Sequence, residues 1–115
     1  MAAGTGRTGR PTTDPEPRRN VVHVSGEMDF EHAEELHASL TATLTQAPAG
    51  SDIVVDLQNS SFCDSSGLNV LLAARRRGLE QGQHLILAAP SHQMIRLLEL
   101  TRTDSLFTYI PVAAD

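Results

Sequence analysis

The sequence predicts an α/β fold: a small, mostly parallel (mixed) sheet of four to five strands with about three helices. Three observations carry this. Short apolar runs of strand composition alternate with segments whose apolar residues recur at helical spacing. Asp29, Asp64 and Ser91 each stand just after such a run and just before a helical pattern, where a side-chain oxygen can accept the free N–H groups of a first turn. The resulting order, strand, helix, strand, helix, strand, helix, strand, requires right-handed crossovers and therefore parallel neighbours.

Residues 1–19 contain Gly4, Gly6, Gly9, Pro11, Pro15 and Pro17 with almost no large apolar side chain. Such a stretch cannot bury enough surface to offset the entropy of ordering, so a flexible tail is expected over 1–19 and a folded domain over 20–115. Val21, Val22 and Val24 are β-branched and bounded by Gly26, which predicts a strand at roughly 20–25. Asp29 then caps a helix from Phe30 to about Ala47, with Ala33, Leu36, Leu40, Leu44 and Ala47 on its apolar face, Glu31, Glu34 and Glu35 near its positive end, and Pro48 and Gly50 as its stop.

Ile53 to Leu57 reads as the second strand, connected through Asn59-Ser60-Ser61 to "FCDSSGLNVLL", Phe62 to Leu72. A helix starts there, with Leu68, Leu71, Leu72 and Leu79 as its stripe, Arg75 to Arg77 on its wet side and Gly82 near its C-terminal end; Gly78 inside it costs about 1 kcal/mol relative to Ala. His84 to Ala89 reads as a third strand, Ser91 as the cap of a helix carrying Met94, Ile95, Leu97 and Leu98, and Leu106 to Ile110 as a last strand. Sites in such a sheet lie beyond the carboxyl ends of the strands. Gly26 to Asp29 and Asp64 to Gly67 both belong there.

Composition excludes several function classes. The chain has 115 residues, 40% of them apolar but only 3% aromatic with no Trp, so the core is aliphatic and stacking platforms for nucleic acid are missing. Residues 1–19 carry four Arg against Asp14 and Glu16, while residues 20–115 carry five Arg against twelve acids. A folded part this acidic repels phosphate backbones and favours a basic partner surface. The lone Cys63 cannot form an internal disulfide and reads as a small core residue; no apolar run approaches membrane-spanning length, so a cytoplasmic protein with no membrane partner is expected.

Candidate chemistry concentrates in Asp64-Ser65-Ser66-Gly67. Read from spacing alone it is a strand-to-helix turn in which Asp caps and Gly permits close approach, with two hydroxyls on a helix start. Five acids, Glu27, Asp29, Glu31, Glu34 and Glu35, crowd near the end of the first strand, and Asp64 can share their rim. A magnesium site of the receiver type, with Asp56 as phosphoryl acceptor, needs a lysine that this chain lacks, and dipole-matched acids on a solvated helix start account for the cluster. His23, His32, His37, His84 and His92 show no zinc-ligand spacing, so no metal or other cofactor is expected. No Gly-x-Ser-x-Gly elbow or Walker loop occurs, and no enzymatic activity is expected.

At these residues the chain resembles the STAS-domain family, specifically the bacterial anti-sigma-factor antagonists. "VSGEMDFEHAEEL", Val24 to Leu36, is similar to the family's strand, Gly-Glu-x-Asp turn and first helix; "FCDSSGLNVLL" is similar to its phosphorylation-site turn and second helix; "LLELTRTDSLFTYIP", Leu97 to Pro111, is a weaker similarity. The resemblance spans about residues 20–111. It implies that Ser66, the second serine of the turn, is phosphorylated by a partner that is both serine kinase and anti-sigma factor, and that a phosphatase restores the hydroxyl. It also implies that Asp29, Asp64 and Ser65 lie on or beside the partner-facing surface, with Gly67 shaping the turn. The unphosphorylated form would bind the anti-sigma factor and free a sigma factor. An alternative is a STAS docking or scaffold subunit of a signalling or transporter assembly without a phospho-switch. The chain departs from the family pattern in having a Pro-bearing stretch before Arg19 where a further strand is common, and in stopping at Asp115 without a further helix. It also has Asn69 where Gly is frequent and Cys63 where a larger apolar residue is usual.

Overall fold

Within the second strand Ile53, Val54 and Val55 follow one another without a polar residue between them, so both of its faces must be covered. Ile53, Val55 and Leu57 point to one side and join the main core; Val54 points to the other. The computed structural model, which describes residues 19–112, realises this as β1 (Arg19–Met28), a 3-10 turn (Phe30–His32), α1 (Ala33–Gln46), β2 (Asp52–Cys63) and α2 (Ser65–Leu79), then β3 (His84–Ala88), α3 (His92–Leu100), a second 3-10 turn (Asp104–Leu106) and β4 (Thr108–Ile110). The described sheet has four strands in the order β1-β2-β3-β4, every pairing parallel. Arg19 already belongs to β1. Of the tail expected over residues 1–19 the last residue is strand instead; residues 1–18, and with them the expected lack of a further strand before Arg19, lie outside the described residues.

Leu36, Leu40 and Leu44 of α1, Leu68 and Leu71 of α2, and Met94 and Leu98 of α3 bury into one continuous core with Ile53, Val55, Leu57 and Leu87. Each leucine so buried contributes about 1.5–3 kcal/mol from removed apolar surface. All three helices therefore share one face of the sheet. The opposite face carries a smaller cluster of Val54, Ile86 and Ala88, with Val21 and Ile110 against it.

Several boundaries differ from the sequence expectation, each for a tertiary reason. Gly26 does not end β1; it sits inside the strand with φ +85°, a conformation that spares only glycine a steric cost, and the strand continues to Met28. Nor does β2 stop at Leu57. It runs to Cys63, and its register against β1 passes from His23↔Asp56 to Ser25↔Asn59 and then Glu27↔Phe62, so β2 accommodates one extra residue in each step. The Asp56 carboxylate supports the first irregularity: Oδ1 accepts from the Gln58 N–H (3.1 Å) and Oδ2 meets His23 Nδ1 (2.8 Å). Leu79, expected on the apolar stripe of α2, is exposed, and Ala74 and Gly78 are buried instead. Arg75 is not simply solvated, because its Nε donates to the Leu106 carbonyl (2.6 Å). The last strand begins at Thr108, since Leu106 is taken into a 3-10 turn.

At the amino end of the strands Gln83, almost wholly buried, donates through Nε2 to the carbonyls of Leu44 (3.1 Å), Ala47 (3.1 Å) and Pro48 (3.4 Å). These are the orphan acceptors at the end of α1. Gly78, costly for the helix in isolation, packs here: a Cβ on it would stand 3.3 Å from Leu44 Cδ2.

Candidate functional site

At the carboxyl end two strand-to-helix turns meet. The first runs from Met28 to His32. Asp29 caps it, its Oδ1 accepting from the His32 N–H (3.1 Å) and pairing with His32 Nδ1 (2.6 Å). The second runs from Cys63 to Gly67, and Asp64 is its cap as the sequence predicts: Oδ1 accepts from the N–H groups of Ser66 (2.8 Å) and Gly67 (3.2 Å). Its other oxygen reaches across to accept from the Phe30 N–H (3.3 Å). One carboxylate thus ties both turns together, which a reading of either segment alone does not disclose.

Three further contacts fix the second turn. The Asp64 N–H donates to the Met28 carbonyl (3.1 Å), extending the β1–β2 ladder into the turn. On the other edge, β2 and β3 part after the pair Asp56↔Ala88, so the end of β2 needs another partner. Gln93 of α3 supplies it: Oε1 accepts from Cys63 N–H (2.8 Å) and Nε2 donates to the Cys63 carbonyl (2.7 Å), a side-chain amide standing in for a strand. Sequence reasoning passed over Gln93, which carries no signal beyond being a polar residue in a first turn. Finally, a Cβ on Gly67 would lie 2.2 Å from the Met28 carbonyl oxygen, so only glycine lets α2 start this close to β1.

Within that frame Ser65 is exposed and Ser66 half-buried. Asp29 and Asp64 are both partly shielded, and Glu27 and Glu31 are exposed nearby on the chain. Asp29, Asp64, Ser65, Ser66 and Gly67 are therefore gathered on one rim.

The electrostatics follow from the contacts. The hydrogen bond from His32 holds the Asp29 carboxyl below its ordinary range, and the same bond to Asp29 raises His32 above its ordinary value. Burial, with the Asp64 charge adding to it, pushes the Cys63 thiol up to about 12, so it is inert core, as expected. Glu27, Asp29 and His32 each bring a possible ligand atom within 4.8 Å of the others, a grouping that spacing along the chain did not suggest. Two of the three are already bonded to each other as a helix cap. The pair His23–Asp56, also unforeseen, belongs to the strand irregularity described above.

The family model described as "Mlab, STAS domain" matches residues 12–108. The anti-sigma-B factor antagonist of Bacillus subtilis (strain 168) is 32% identical over 80 residues, covering 70% of this chain and 71% of that protein. The anti-sigma F factor antagonist of Lysinibacillus sphaericus is 28% identical over 81 residues, 70% of this chain and 68% of that one. Among solved structures, an anti-sigma factor antagonist from Mycobacterium paratuberculosis superposes with a TM-score of 0.67 at 30% identity, covering 86% of this chain and 82% of that chain. No described helix is long and apolar enough to cross a membrane.

Proposed function

The chain belongs to the STAS-domain family of anti-sigma-factor antagonists, and from that premise we propose that its unphosphorylated form binds an anti-sigma factor, frees a sigma factor, and is switched off by phosphorylation of Ser66. In this reading the anti-sigma factor is itself the serine kinase: the γ-phosphoryl group of ATP passes to Ser66 Oγ, the hydroxyl proton is lost and ADP leaves. A phosphatase reverses the switch with water, releasing inorganic phosphate. The protein is a regulator rather than an enzyme. The folded residues 19–112 form its working domain, and its place of action is the cytoplasm.

The observation that carries the reading is the position of Ser66 in the first turn of α2, with its N–H already engaged by the Asp64 carboxylate. Negative charge in a first helical turn is favoured by the helix dipole by about 0.3–1 kcal/mol, so the fold tolerates a phosphate there. An interface does not. The phosphate adds about −1.5 to −2 charges beside Asp64 and opposite whatever acid a partner presents. Two unit charges about 4 Å apart repel by roughly 1 kcal/mol in water and roughly 4 kcal/mol at an effective dielectric of 20. Each 1.4 kcal/mol is about tenfold in affinity, so a few such contacts suffice to dissociate a complex, and the half-buried seat of Ser66 adds steric displacement.

Incubation with the cognate kinase and ATP, followed by mapping of the product by mass spectrometry, tests the assignment. A single phosphate on Ser66 is expected; phosphate on Ser65 alone, or none, refutes it. Ser66→Ala is expected to bind the anti-sigma factor and resist phosphorylation, and Ser66→Asp to lose binding.

A further inference from the structure

The rim is not the whole exposed surface that lies open beside Ser66. Between α1 and α2, on the side away from the sheet, runs an open groove of about 530 Å³ lined by Ala33, Glu34 and His37 of α1 and by Asn69, Val70 and Ala73 of α2. Asn69 and Val70 follow Ser66 by one helical turn, and Ala33 follows Phe30 by one, so the groove opens directly below the two caps. We propose that this groove, together with the exposed Phe30 one turn before its α1 wall, is the specificity pocket for the anti-sigma factor: it takes one large apolar side chain of the partner, flanked by basic residues. The proposal rests on the reading of Ser66 above and assigns partner choice to the groove and partner release to the serine.

Three observations point to this occupant. The chain has three Phe in all, and in an otherwise aliphatic interior only Phe107 is buried. Phe30 is 80% exposed and Phe62 is 41% exposed, and both border the Asp64 cap, Phe30 through its N–H and Phe62 two residues upstream. Aromatic side chains, Phe among them, are enriched at protein interfaces relative to the rest of the surface. Second, the lining runs from residue 33 to 37 on one side and 69 to 73 on the other, one helical turn or about 6 Å, which suits a single large side chain rather than a whole helix laid along it. Third, acids outnumber bases around the groove: Glu31, Glu34 and Glu35 are exposed at the start of α1 beside His32 and His37, and the Arg of α2 lie only in its last turns. A basic flank is attracted, and a second copy of this acidic surface is repelled.

The experiment uses the full chain and the kinase that phosphorylates it in the assay above. Ala73→Glu fills and charges the groove at an exposed helical position, Phe30→Ser removes the exposed aromatic one turn before it, and Leu100→Ser, at the far end of α3, removes an exposed apolar residue away from both. Binding is expected to weaken by about 30-fold or more for A73E and F30S, with unchanged melting and with L100S like wild type. Phosphorylation of Ser66 is expected to slow in parallel for the two groove variants. If A73E lowers melting, Ala73→Gln repeats the steric test without charge. Binding of A73E and F30S within about twofold of wild type overturns the groove while leaving the Ser66 reading intact. Sedimentation that finds a wild-type dimer dissociated by A73E overturns it in favour of a second copy. A wild-type chain that neither binds nor accepts phosphate brings down the functional reading itself, and the groove assignment with it.

Discussion

At the carboxyl end of the strands, Asp29 and Asp64 satisfy the helix N–H groups with charged side chains that remain within reach of solvent. At the amino end, Gln83 satisfies the carbonyls closing α1 with a neutral amide sealed from water. Both ends face the same problem, orphaned backbone groups at helix termini, and the choice of side chain separates them. A buried neutral amide serves stability alone. A rim carboxylate serves as a cap and also sets a local field, leaves hydroxyls accessible and can meet a partner. The carboxyl end is therefore the end at which binding and covalent change are cheap for the fold.

The sharpest way to break this contrast is Gly67→Ala, because a single methyl at the carboxyl end must displace the Met28 backbone. A loss of about 3 kcal/mol is expected in urea unfolding, the upper part of the range for overpacking. A near-native midpoint would mean that the two turns are not held as closely as the contact with Met28 requires. Next in size is Gln83→Leu, which keeps the apolar bulk but removes the donor to the Leu44 and Ala47 carbonyls; the Pro48 carbonyl keeps its bonds from Ser51. About 2 kcal/mol of destabilisation is expected, with anti-sigma-factor binding intact once the protein is folded.

Asp64→Ala sharpens the comparison from the other side. About 1–2 kcal/mol is expected from the lost cap, together with faster amide exchange at Phe30, Ser66 and Gly67, the three donors that Asp64 holds. Unlike Gln83→Leu, it is expected to weaken partner binding beyond its effect on stability. Ser66→Asp comes lower still: melting within about 1 kcal/mol of wild type, since the helix dipole accepts the charge. A large fall in its melting temperature would refute the argument that phosphate is tolerated by the fold.

The smallest effect concerns pH. His32 is raised by its bond to Asp29, so its contribution to stability is complete below the ordinary value of 6.5 and is lost as pH rises through the raised folded value. Asp29 is lowered by the same bond, and its contribution is present above 3.8 and lost as pH falls through the lowered value. His32 is exposed and Asp29 only partly shielded, so little stability is at stake. An NMR titration should place His32 above 6.5 and return it towards that value in Asp29→Asn.

Most of the elements were legible because each has a local cause. Asp29, Asp64 and Ser91 announce their helices by cap chemistry, and Leu36, Leu40 and Leu44 announce a buried face by spacing. The misjudged boundaries were those set by a neighbour. Gly26 reads as a stop by residue type, yet pairing with β2 carries β1 past it. Asn59-Ser60-Ser61 reads as a connection by composition, and becomes strand because β1 continues alongside. Leu79 belongs to the apolar stripe by spacing, but the neighbouring elements leave its position in water.

By itself, then, the sequence determined the order of elements, their caps, the parallel topology and the motif at Asp64 to Gly67, because capping and periodicity act within a few residues. Only the tertiary structure decided that one Asp64 carboxylate holds both rim turns, that Gln93 closes the end of β2 where β3 has left it, that Met28 makes Gly67 obligatory, and that Ser66 sits half-buried. Each of these depends on groups about 30 or more residues apart, or on the crowding they create, and no local pattern encodes a distance in space.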